Sequence, residues 1–423
     1  MTRFTQKFPA SFLSAVIRMV MLALFLTIFG AGAVLAQTKG YVTNALDDTL
    51  SVIDTATNTV TATIPVGPVP IAIAVTPNGA FVYVGNQNNP TVSVISTATN
   101  AVIANVTVGL VPSGIAITPN GAFAYVANQA SSTVSVIDTA TNTVTATVPV
   151  GLAPFGVAIT PNGAFAYVAN QGFFSSSVSV IDTTTNTVIA TIPAGSGAGS
   201  IAITPNGTFA YVANFFGGTV SVIDTATNTI IATIPVGGFL GGIDITPNGA
   251  FVYVTQIANN TVAVIDTATN TVTATVSVGL APRGIAVTPN GTSAYAVNSG
   301  NNTVSVINTI TNTVTATIPV RERPQFIAFT KTQSPQDQIA SLISQVEALI
   351  ADGTLTQNQG DGLIDKLNQI VLKLDNDQTD VACKELSAFM RQVNAFVNSG
   401  ALTQTQAQSL TNAANALKIS LGC

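Results

Sequence analysis

The sequence predicts an all-β seven-bladed β-propeller of four-stranded blades, followed by a small all-α domain of four helices. The first observation is a repeat: six copies of Thr-Pro-Asn-Gly, about 42 residues apart, begin at positions 76, 118, 160, 204, 246 and 288. A degenerate seventh copy ends at Thr330, and a period of this length is typical of propeller blades. The second observation is a change after Lys331, where strand-like runs stop and apolar residues recur at helical spacing.

The N-terminal segment, residues 1–36, is expected to be a signal peptide. It carries Arg3, Lys7 and Arg18 ahead of an apolar run, and Ala36 ends a small-residue cleavage site. An uncleaved membrane anchor is the alternative, although the 18 apolar residues only approach the length of a span. We therefore expect a secreted protein, extracellular, periplasmic or on the cell surface, whose mature chain has no membrane span.

The predicted propeller covers residues 37–333, and each repeat contains four short runs rich in Val, Ile and Thr. Such runs, separated by turn residues, predict a four-stranded antiparallel blade. The chain opens with a second strand, Tyr41 to Asn44, and the repeats close with a first strand, Phe326 to Thr330. The two ends are therefore expected to complete one blade together, as a three-plus-one clasp that closes the ring.

The motif Tyr41-Val-Thr-Asn44, its variants in the other copies and the neighbouring Val-Ile-Asp-Thr-Ala-Thr-Asn-Thr-Val resemble the YVTN family of β-propeller repeats. The resemblance covers about 290 residues. All seven tyrosines of the chain occupy the same slot of the repeat. We predict that each ring packs between blades with its hydroxyl hydrogen-bonded.

Residues 334–423 form the second predicted domain. Helices are expected near 335–352, 357–375, 378–398 and 404–421, with capping boxes that begin at Thr356 and Thr403. The two halves of this segment resemble each other at an offset of 47 residues, which favours two similar helical hairpins packed as a bundle.

Both cysteines of the chain, Cys383 and Cys423, fall in the predicted bundle. Antiparallel neighbouring helices would bring them together, and in an exported protein a disulfide is favoured over two free thiols or a metal pair. The patterns LxxxGxLTxxQ and ACxxLxAFxxQV resemble the FIMAH-type domain at the ends of exported bacterial proteins. That resemblance implies no chemistry by itself.

Composition excludes several kinds of chemistry. The chain has no His and no Trp, so histidine general-base catalysis, a Ser-His-Asp triad and His-ligated haem are excluded. Without the leader, 10 of the 13 basic residues remain against 18 acidic ones, a formal charge of −8 that makes nucleic acid an improbable partner. No cofactor and no metal site are expected, although a weak calcium site on the Asp-Thr-Ala-Thr-Asn-Thr turn is an alternative to turn capping.

Three charged residues depart from the repeat. Asp244 occupies a first-strand position that is Ala in most copies, Arg283 lies in the next unit, and Arg321 belongs to the clasp together with Glu322 and Arg323. The favoured interpretation is an ion pair that lines the channel. The alternative is an anion- or carbonyl-binding mouth in which Arg283 or Arg321 makes the contact.

The loops between second and third strands, and between fourth and next first strands, vary among the copies and are expected on the same face. Six phenylalanines fall in them and are predicted to converge in one sector as an exposed binding patch, with inward packing as the alternative: Phe155, Phe173, Phe174, Phe215, Phe216 and Phe239.

The sequence therefore favours a non-catalytic binding module of the cell surface or envelope. Its expected partner is a protein or glycan that engages the variable face. A structural surface-layer or matrix component is one alternative. A metal-assisted propeller enzyme, similar to a lyase or lactonase and using Asp244, is the other.

Overall fold

The computed structural model describes residues 38–172, 176–330, 335–376 and 378–423. The predicted signal peptide and the pair Phe173 and Phe174 lie outside these ranges. The chain divides between Gln333 and Ser334 into a propeller unit and a helical unit.

The propeller consists of 28 strands in seven four-stranded antiparallel sheets, as predicted. The first blade contains β4 (Pro70–Val75), β5 (Phe81–Asn86), β6 (Thr91–Ser96) and β7 (Ala101–Thr107). The second contains β8 (Pro112–Ile117), β9 (Phe123–Asn128), β10 (Thr133–Asp138) and β11 (Thr143–Pro149). The third contains β12 (Pro154–Ile159), β13 (Phe165–Asn170), β14 (Ser177–Asp182) and β15 (Thr187–Pro193). The fourth blade contains β16 (Ala198–Ile203), β17 (Phe209–Asn214), β18 (Thr219–Asp224) and β19 (Thr229–Pro235). The fifth contains β20 (Leu240–Ile245), β21 (Phe251–Gln256), β22 (Thr261–Asp266) and β23 (Thr271–Ser277). The sixth contains β24 (Pro282–Val287), β25 (Ser293–Asn298), β26 (Thr303–Asn308) and β27 (Thr313–Pro319).

The seventh blade joins the two ends of the repeat region. Its strands are β1 (Lys39–Asn44), β2 (Thr49–Asp54), β3 (Thr59–Pro65) and β28 (Pro324–Phe329), in the order β28-β1-β2-β3. Three strands come from the start of the repeats and one from their end, so the predicted three-plus-one clasp is confirmed. Antiparallel pairing of β1 with β28 closes the ring.

Small residues allow the first strands of neighbouring blades to approach each other around the axis. A Cβ added to Gly156 would lie 2.6 Å from the carbonyl oxygen of Gly199 in the next blade. A Cβ added to Gly242 would lie 2.9 Å from the carbonyl oxygen of Arg283. Larger side chains would push the blades apart at these positions, which explains why the repeat uses small residues there.

The seven tyrosines are buried between blades, and six hydroxyls donate to an Asn Oδ1 of the following blade. Tyr167 donates to Asn228 at 2.7 Å, and Tyr295 donates to Asn58 across the clasp at 2.5 Å. The predicted burial is therefore confirmed for all seven tyrosines, and the predicted hydrogen bond is confirmed for six of them. The exception is Tyr41, whose buried hydroxyl has no hydrogen-bond partner in the described part of the chain.

The constant turns have the predicted chemistry. Asp138 Oδ1 accepts hydrogen bonds from the N–H groups of Ala140 and Thr141, both at 2.9 Å, and Asn142 takes the left-handed conformation with φ 54°. The aspartates at the same position of the other copies also accept hydrogen bonds from their turns: Asp54, Asp182, Asp224 and Asp266. Turn capping therefore accounts for all five.

The helical unit contains α1 (Pro335–Ala351), α2 (Gln357–Leu374), α3 (Thr379–Asn398) and α4 (Gln404–Leu421). Thr356 and Gln359 form the predicted capping box of α2, and Thr403 and Gln406 form that of α4. One apolar core joins all four helices and includes the buried Phe389. Cys383 and Cys423 form the predicted disulfide, with 5.8 Å between their Cα atoms. Of the helices in the described ranges, none combines the length and apolar character that a membrane span needs.

Candidate active site

The two sets of variable loops lie on one face of the propeller, which we call the variable face. Backbone hydrogen bonds join the two sets blade by blade. Gln129 N–H donates to Val111 at 2.9 Å, and Ile257 N–H donates to Phe239 at 2.8 Å. The loops therefore form a connected surface and are held by the sheets below them.

Charge on the variable face is confined to one sector. Within the described residues, every charged side chain there belongs to the sixth or seventh blade, and all lie in loops except Arg283, which is near the start of β24: Asp47, Asp48, Arg283, Arg321, Glu322 and Arg323. The remaining charged residues in the described part of the propeller are Lys39 and the turn aspartates at the opposite edge, and Asp244 within a first strand. In a repeat that is otherwise uncharged on this face, that concentration marks a candidate site.

A pocket of about 290 Å³ lies in this sector, between the sixth and seventh blades. Its lining residues include two of the three arginines of this sector and one carboxylate: Leu46, Ala281, Arg283, Ser299, Gly300, Asn302, Glu322 and Arg323. We call it the arginine pocket. Most of these residues are departures from the repeat rather than part of its consensus.

The backbone of the clasp loop is fixed around the pocket. Arg323 adopts φ 54°, and its N–H donates to Asn302 Oδ1 at 2.9 Å. Its carbonyl accepts a hydrogen bond from Ala45 N–H at 3.1 Å, and Glu322 N–H donates to Asp47 Oδ2 at 2.9 Å. These contacts hold two charged side chains on a short, cross-linked loop.

Arg283 enters the pocket from the sixth blade, as the second residue of β24. Its carbonyl oxygen accepts a hydrogen bond from Thr255 Oγ1 at 2.8 Å, which holds the start of the strand. The side chain is half-buried. Burial lowers the pKa of the Arg283 guanidinium, and the positive charge of Arg323 lowers that pKa further.

Neither guanidinium has a salt-bridge partner within the described ranges of the chain. Two like charges that are close enough to interact repel each other, and a half-buried one is poorly hydrated. A bound anion would relieve both effects, because arginine presents several N–H donors to carboxylate or phosphate oxygens. The arginine pocket therefore has the charge and the donors that suit an anion or a carbonyl oxygen that gains negative charge.

Asp244 lies elsewhere. Its Oδ2 accepts a hydrogen bond from Val287 N–H at 2.7 Å, and its Oδ1 accepts one from Ile245 N–H at 2.8 Å. Val287 is four residues beyond Arg283 on β24, about 13 Å along an extended strand. Asp244 and Arg283 are therefore placed toward opposite ends of the same pair of strands, and Asp244 is not part of the arginine pocket.

The predicted phenylalanine patch is divided by the structure. Phe215, Phe216 and Phe239 form a cluster on the variable face, with ring centroids 4.8 to 6.5 Å apart. Phe216 and Phe239 remain 40% and 48% exposed. Phe155 instead packs against Phe326 at 6.2 Å, beside the central channel. Phe173 and Phe174 lie outside the described residues.

The sequence predicted Arg321 of the clasp as a binding candidate and named Arg323 only as its neighbour. Arg321 is exposed and does not line the pocket, whereas Arg323, two residues later, does. Glu322, Leu46 and Gly300 were also not selected. All four residues are departures from the repeat at loop positions, which is the signal that could have found them.

Comparison with known families agrees with both domains. The chain matches the family described as lactonase, 7-bladed beta-propeller, over residues 36–148 and 157–318. It matches the FIMAH domain over residues 339–418. A comparison with curated proteins gives no match.

Solved structures share the propeller fold. Hydrazine synthase of Kuenenia stuttgartiensis is 26% identical with a TM-score of 0.60, and the alignment covers 64% of this chain and 92% of that one. A putative 6-phosphogluconolactonase of Bacteroides uniformis is 19% identical with a TM-score of 0.59, over 70% of this chain and 99% of that one. A second putative 6-phosphogluconolactonase, from Bacteroides fragilis, is 18% identical with a TM-score of 0.58, over 71% and 100%. At these two lower identities the likeness shows the fold alone.

The predictions of a non-catalytic binding module and of no enzymatic activity are therefore wrong. They relied on the absence of His, Trp and a familiar catalytic constellation, whereas the propeller matches a family of lactonases. The physical reason for the error is that arginine and glutamate can bind anions and move protons without histidine. Because the match spans more than half of the sequence, this chain belongs to the lactonase family of seven-bladed β-propellers.

Proposed function

We propose that this protein hydrolyses an anionic cyclic ester, and that the arginine pocket is its active site. The observation that carries the proposal is the meeting of two guanidiniums without salt-bridge partners and one carboxylate in a single pocket of a lactonase-family propeller. The pocket volume of about 290 Å³ suits a small ring compound.

Substrate binding in this proposal uses the arginines. Arg323, on the exposed clasp loop, binds the anionic substituent of the substrate. Arg283, which is half-buried, faces the ester carbonyl oxygen. A donor in this less hydrated position interacts more strongly with negative charge that develops during the reaction than with the neutral ester.

Glu322 acts as the general base in the proposed reaction. Its carboxylate removes a proton from a water molecule, whose oxygen adds to the carbonyl carbon and forms a tetrahedral intermediate with its oxyanion at Arg283. The carbon to ring-oxygen bond then breaks, and Glu322 returns the proton to the leaving alkoxide. The product is a hydroxy acid, and no oxidant or reductant is consumed.

The test is hydrolysis of lactones by the full chain. An anionic substrate, 6-phosphogluconolactone, is compared with the neutral gluconolactone by following the acid released above the rate of spontaneous hydrolysis. Glu322→Gln is expected to lower kcat by about 100-fold or more, which is typical of a lost general base. Arg283→Ala is expected to lower kcat/KM by a similar factor, because the oxyanion loses its donor.

Arg321→Ala is the matched control, since Arg321 carries the same charge two residues from Arg323 but lies outside the pocket lining. It should stay within about twofold of the parent protein, as is usual for an exposed arginine. Equal losses in Arg321→Ala and Arg283→Ala would show that net charge alone is responsible. Hydrolysis of neither lactone, with the propeller still folded, would overturn the assignment.

We also propose that the protein is exported. The charged and apolar pattern of residues 1–36 supports this, and so does the disulfide of Cys383 with Cys423, because such bonds persist in oxidising compartments. N-terminal sequencing of the protein recovered from each cell fraction would test it. A mature chain that begins at Gln37 outside the cytoplasm is expected, and an uncleaved cytoplasmic chain would contradict the proposal.

A further inference from the structure

Two exposed leucines flank the arginine pocket. Leu46 lines it from the seventh blade and is 60% exposed. Leu280 precedes β24 on the other side and is 53% exposed. Its carbonyl accepts a hydrogen bond from Gly300 N–H at 2.9 Å, and a Cβ added to Gly300 would lie 2.9 Å from the Leu280 Cβ. Leu280 therefore covers a residue of the pocket wall.

The combination is specific to this sector. The loop position of Leu46 varies among the blades, and no other described blade has a leucine there: the residues include Asn88, Ala130, Phe216, Ala258 and Gly300. Leu280 has counterparts at Leu110 and Leu152, but only Leu280 has an arginine three residues later, in Leu280-Ala-Pro-Arg283. The repeat thus places exposed leucines on several loops and an arginine pocket beside one of them.

We propose that the ligand of the arginine pocket is an amphiphilic anion, whose charged head lies at the arginines and whose unbranched apolar chain lies across Leu46 and Leu280. This inference rests on the proposed function and names its substrate class, a cyclic ester that carries both an anionic group and an alkyl or acyl chain. A polar sugar lactone would leave both leucines in water.

The physical basis is the pairing of charge with exposed apolar surface. An exposed leucine beside a guanidinium gains nothing from a small hydrophilic anion. When a methylene group of the ligand is removed from water, the gain is about 0.8 kcal/mol, which corresponds to an affinity increase of up to about fourfold for each group. Binding should therefore rise with chain length until the chain passes beyond the two leucines.

The test measures binding, so it does not depend on turnover. Methyl, butyl and octyl phosphate, all dissolved below micelle-forming concentrations, are titrated into the full chain by calorimetry. Affinity is expected to rise by about two- to fourfold for each methylene over the first few groups. Arg283→Ala should weaken all three ligands, because all three carry the same head group.

Variants at the leucines separate the chain from the head. Leu46→Ser and Leu280→Ser should reduce the ratio of octyl phosphate affinity to methyl phosphate affinity. Leu152→Ser is the matched control, since Leu152 is also 60% exposed and lies in the same Gly-Leu-Ala-Pro motif away from the pocket. It should leave this ratio unchanged.

The outcomes distinguish this inference from the proposed function. Binding that requires Arg283 but is independent of chain length would overturn the amphiphilic ligand and leave the proposed hydrolysis standing. Affinity that rises with chain length, without hydrolysis of any lactone, would support the amphiphilic ligand and overturn the proposed hydrolysis. Anionic phospholipid vesicles serve as a separate arm: binding to vesicles without binding of dissolved alkyl phosphates would overturn the proposal in favour of a membrane surface.

Discussion

The ring of tyrosines provides a stability experiment with an internal control. The change is Tyr167→Phe, which removes one hydroxyl and keeps the buried ring. Tyr167 donates to Asn228 Oδ1 at 2.7 Å and to the Thr225 carbonyl at 3.2 Å, both in the next blade. Its counterpart Tyr41 is equally buried, but its hydroxyl makes no hydrogen bond within the described residues.

The two substitutions should differ in sign. Loss of the hydroxyl of Tyr167 removes a hydrogen bond between blades, and we expect the free energy of unfolding to fall by about 1 kcal/mol. Asn228 is half-exposed, so its freed oxygen can be hydrated and the loss should not be much larger. Tyr41→Phe removes a buried polar group that lacks a protein partner, and it should be neutral or stabilising by up to about 1 kcal/mol.

Tyr41 differs from the other tyrosines because of its neighbour. The partner that the repeat would supply is Asn100, whose Oδ1 is also buried without a hydrogen bond. Asn100 belongs to the turn in which Ser96 replaces the capping aspartate. The shorter side chain of Ser96 does not cap its turn as Asp138 caps the corresponding turn. The turn without the aspartate cap is also the one whose Asn100 makes no hydrogen bond with Tyr41.

Calorimetric unfolding of the full chain would test the comparison, with the propeller transition followed separately from that of the helices. A difference of about 1 kcal/mol corresponds to roughly 2 °C in the midpoint of a domain this large. If Tyr41→Phe destabilises the protein as much as Tyr167→Phe, loss of the hydroxyl changes packing rather than a hydrogen bond, and the argument from the Asn contacts fails.

Two further predictions concern pH and the disulfide. Burial raises the pKa of all seven tyrosine hydroxyls to about 12, as for Tyr41 and Tyr167. As the pH rises, the tyrosines of the unfolded chain therefore lose their protons before those of the folded chain, which favours unfolding. The stability of the propeller should be constant below pH about 10 and should be lost between pH about 10 and 12. Tyrosinate absorbance and circular dichroism should change together in a pH titration, and tyrosinate formation in a folded propeller would contradict this. Replacement of Cys383 and Cys423 by Ser removes a constraint on a loop with a sequence separation of 40 residues, worth about 4 kcal/mol of helical-domain stability. The helical transition should move to lower temperature while the propeller transition stays; a shift of both would refute independent domains.

The blade boundaries and the clasp were predictable because the repeat reports them many times. A four-strand period, constant turns and repeats that run from a second strand to a first strand leave one way to close the ring. The helices were predictable for a similar reason, since apolar spacing and the capping boxes at Thr356 and Thr403 act locally. Function was not predictable in the same way, and the expectation of a non-catalytic module was wrong.

The candidate site was only partly predictable from the sequence. Arg283 was predicted as a binding candidate because it departs from the repeat, together with Asp244 in the preceding unit and with Arg321, Glu322 and Arg323 in the clasp. Its companions in the structure are Arg323 and Glu322, on a loop 40 residues later in the chain. Which residues lie beside Arg283 depends on its place at the start of β24 and on the left-handed backbone of Arg323. Neither feature can be predicted from charge or spacing.

Local and periodic features of the sequence determined the fold. Strand length and turn chemistry act within one repeat of about 42 residues, and seven repeats carry the same features. Only the tertiary structure decided the site, because the arginine pocket is formed once, where the last repeat meets the first. Leu46 and Arg323 are 277 positions apart in the chain and share one pocket only after the ring has closed. A contact made by ring closure has no period, so the sequence indicates it only through single departures from the repeat and does not say which of them meet.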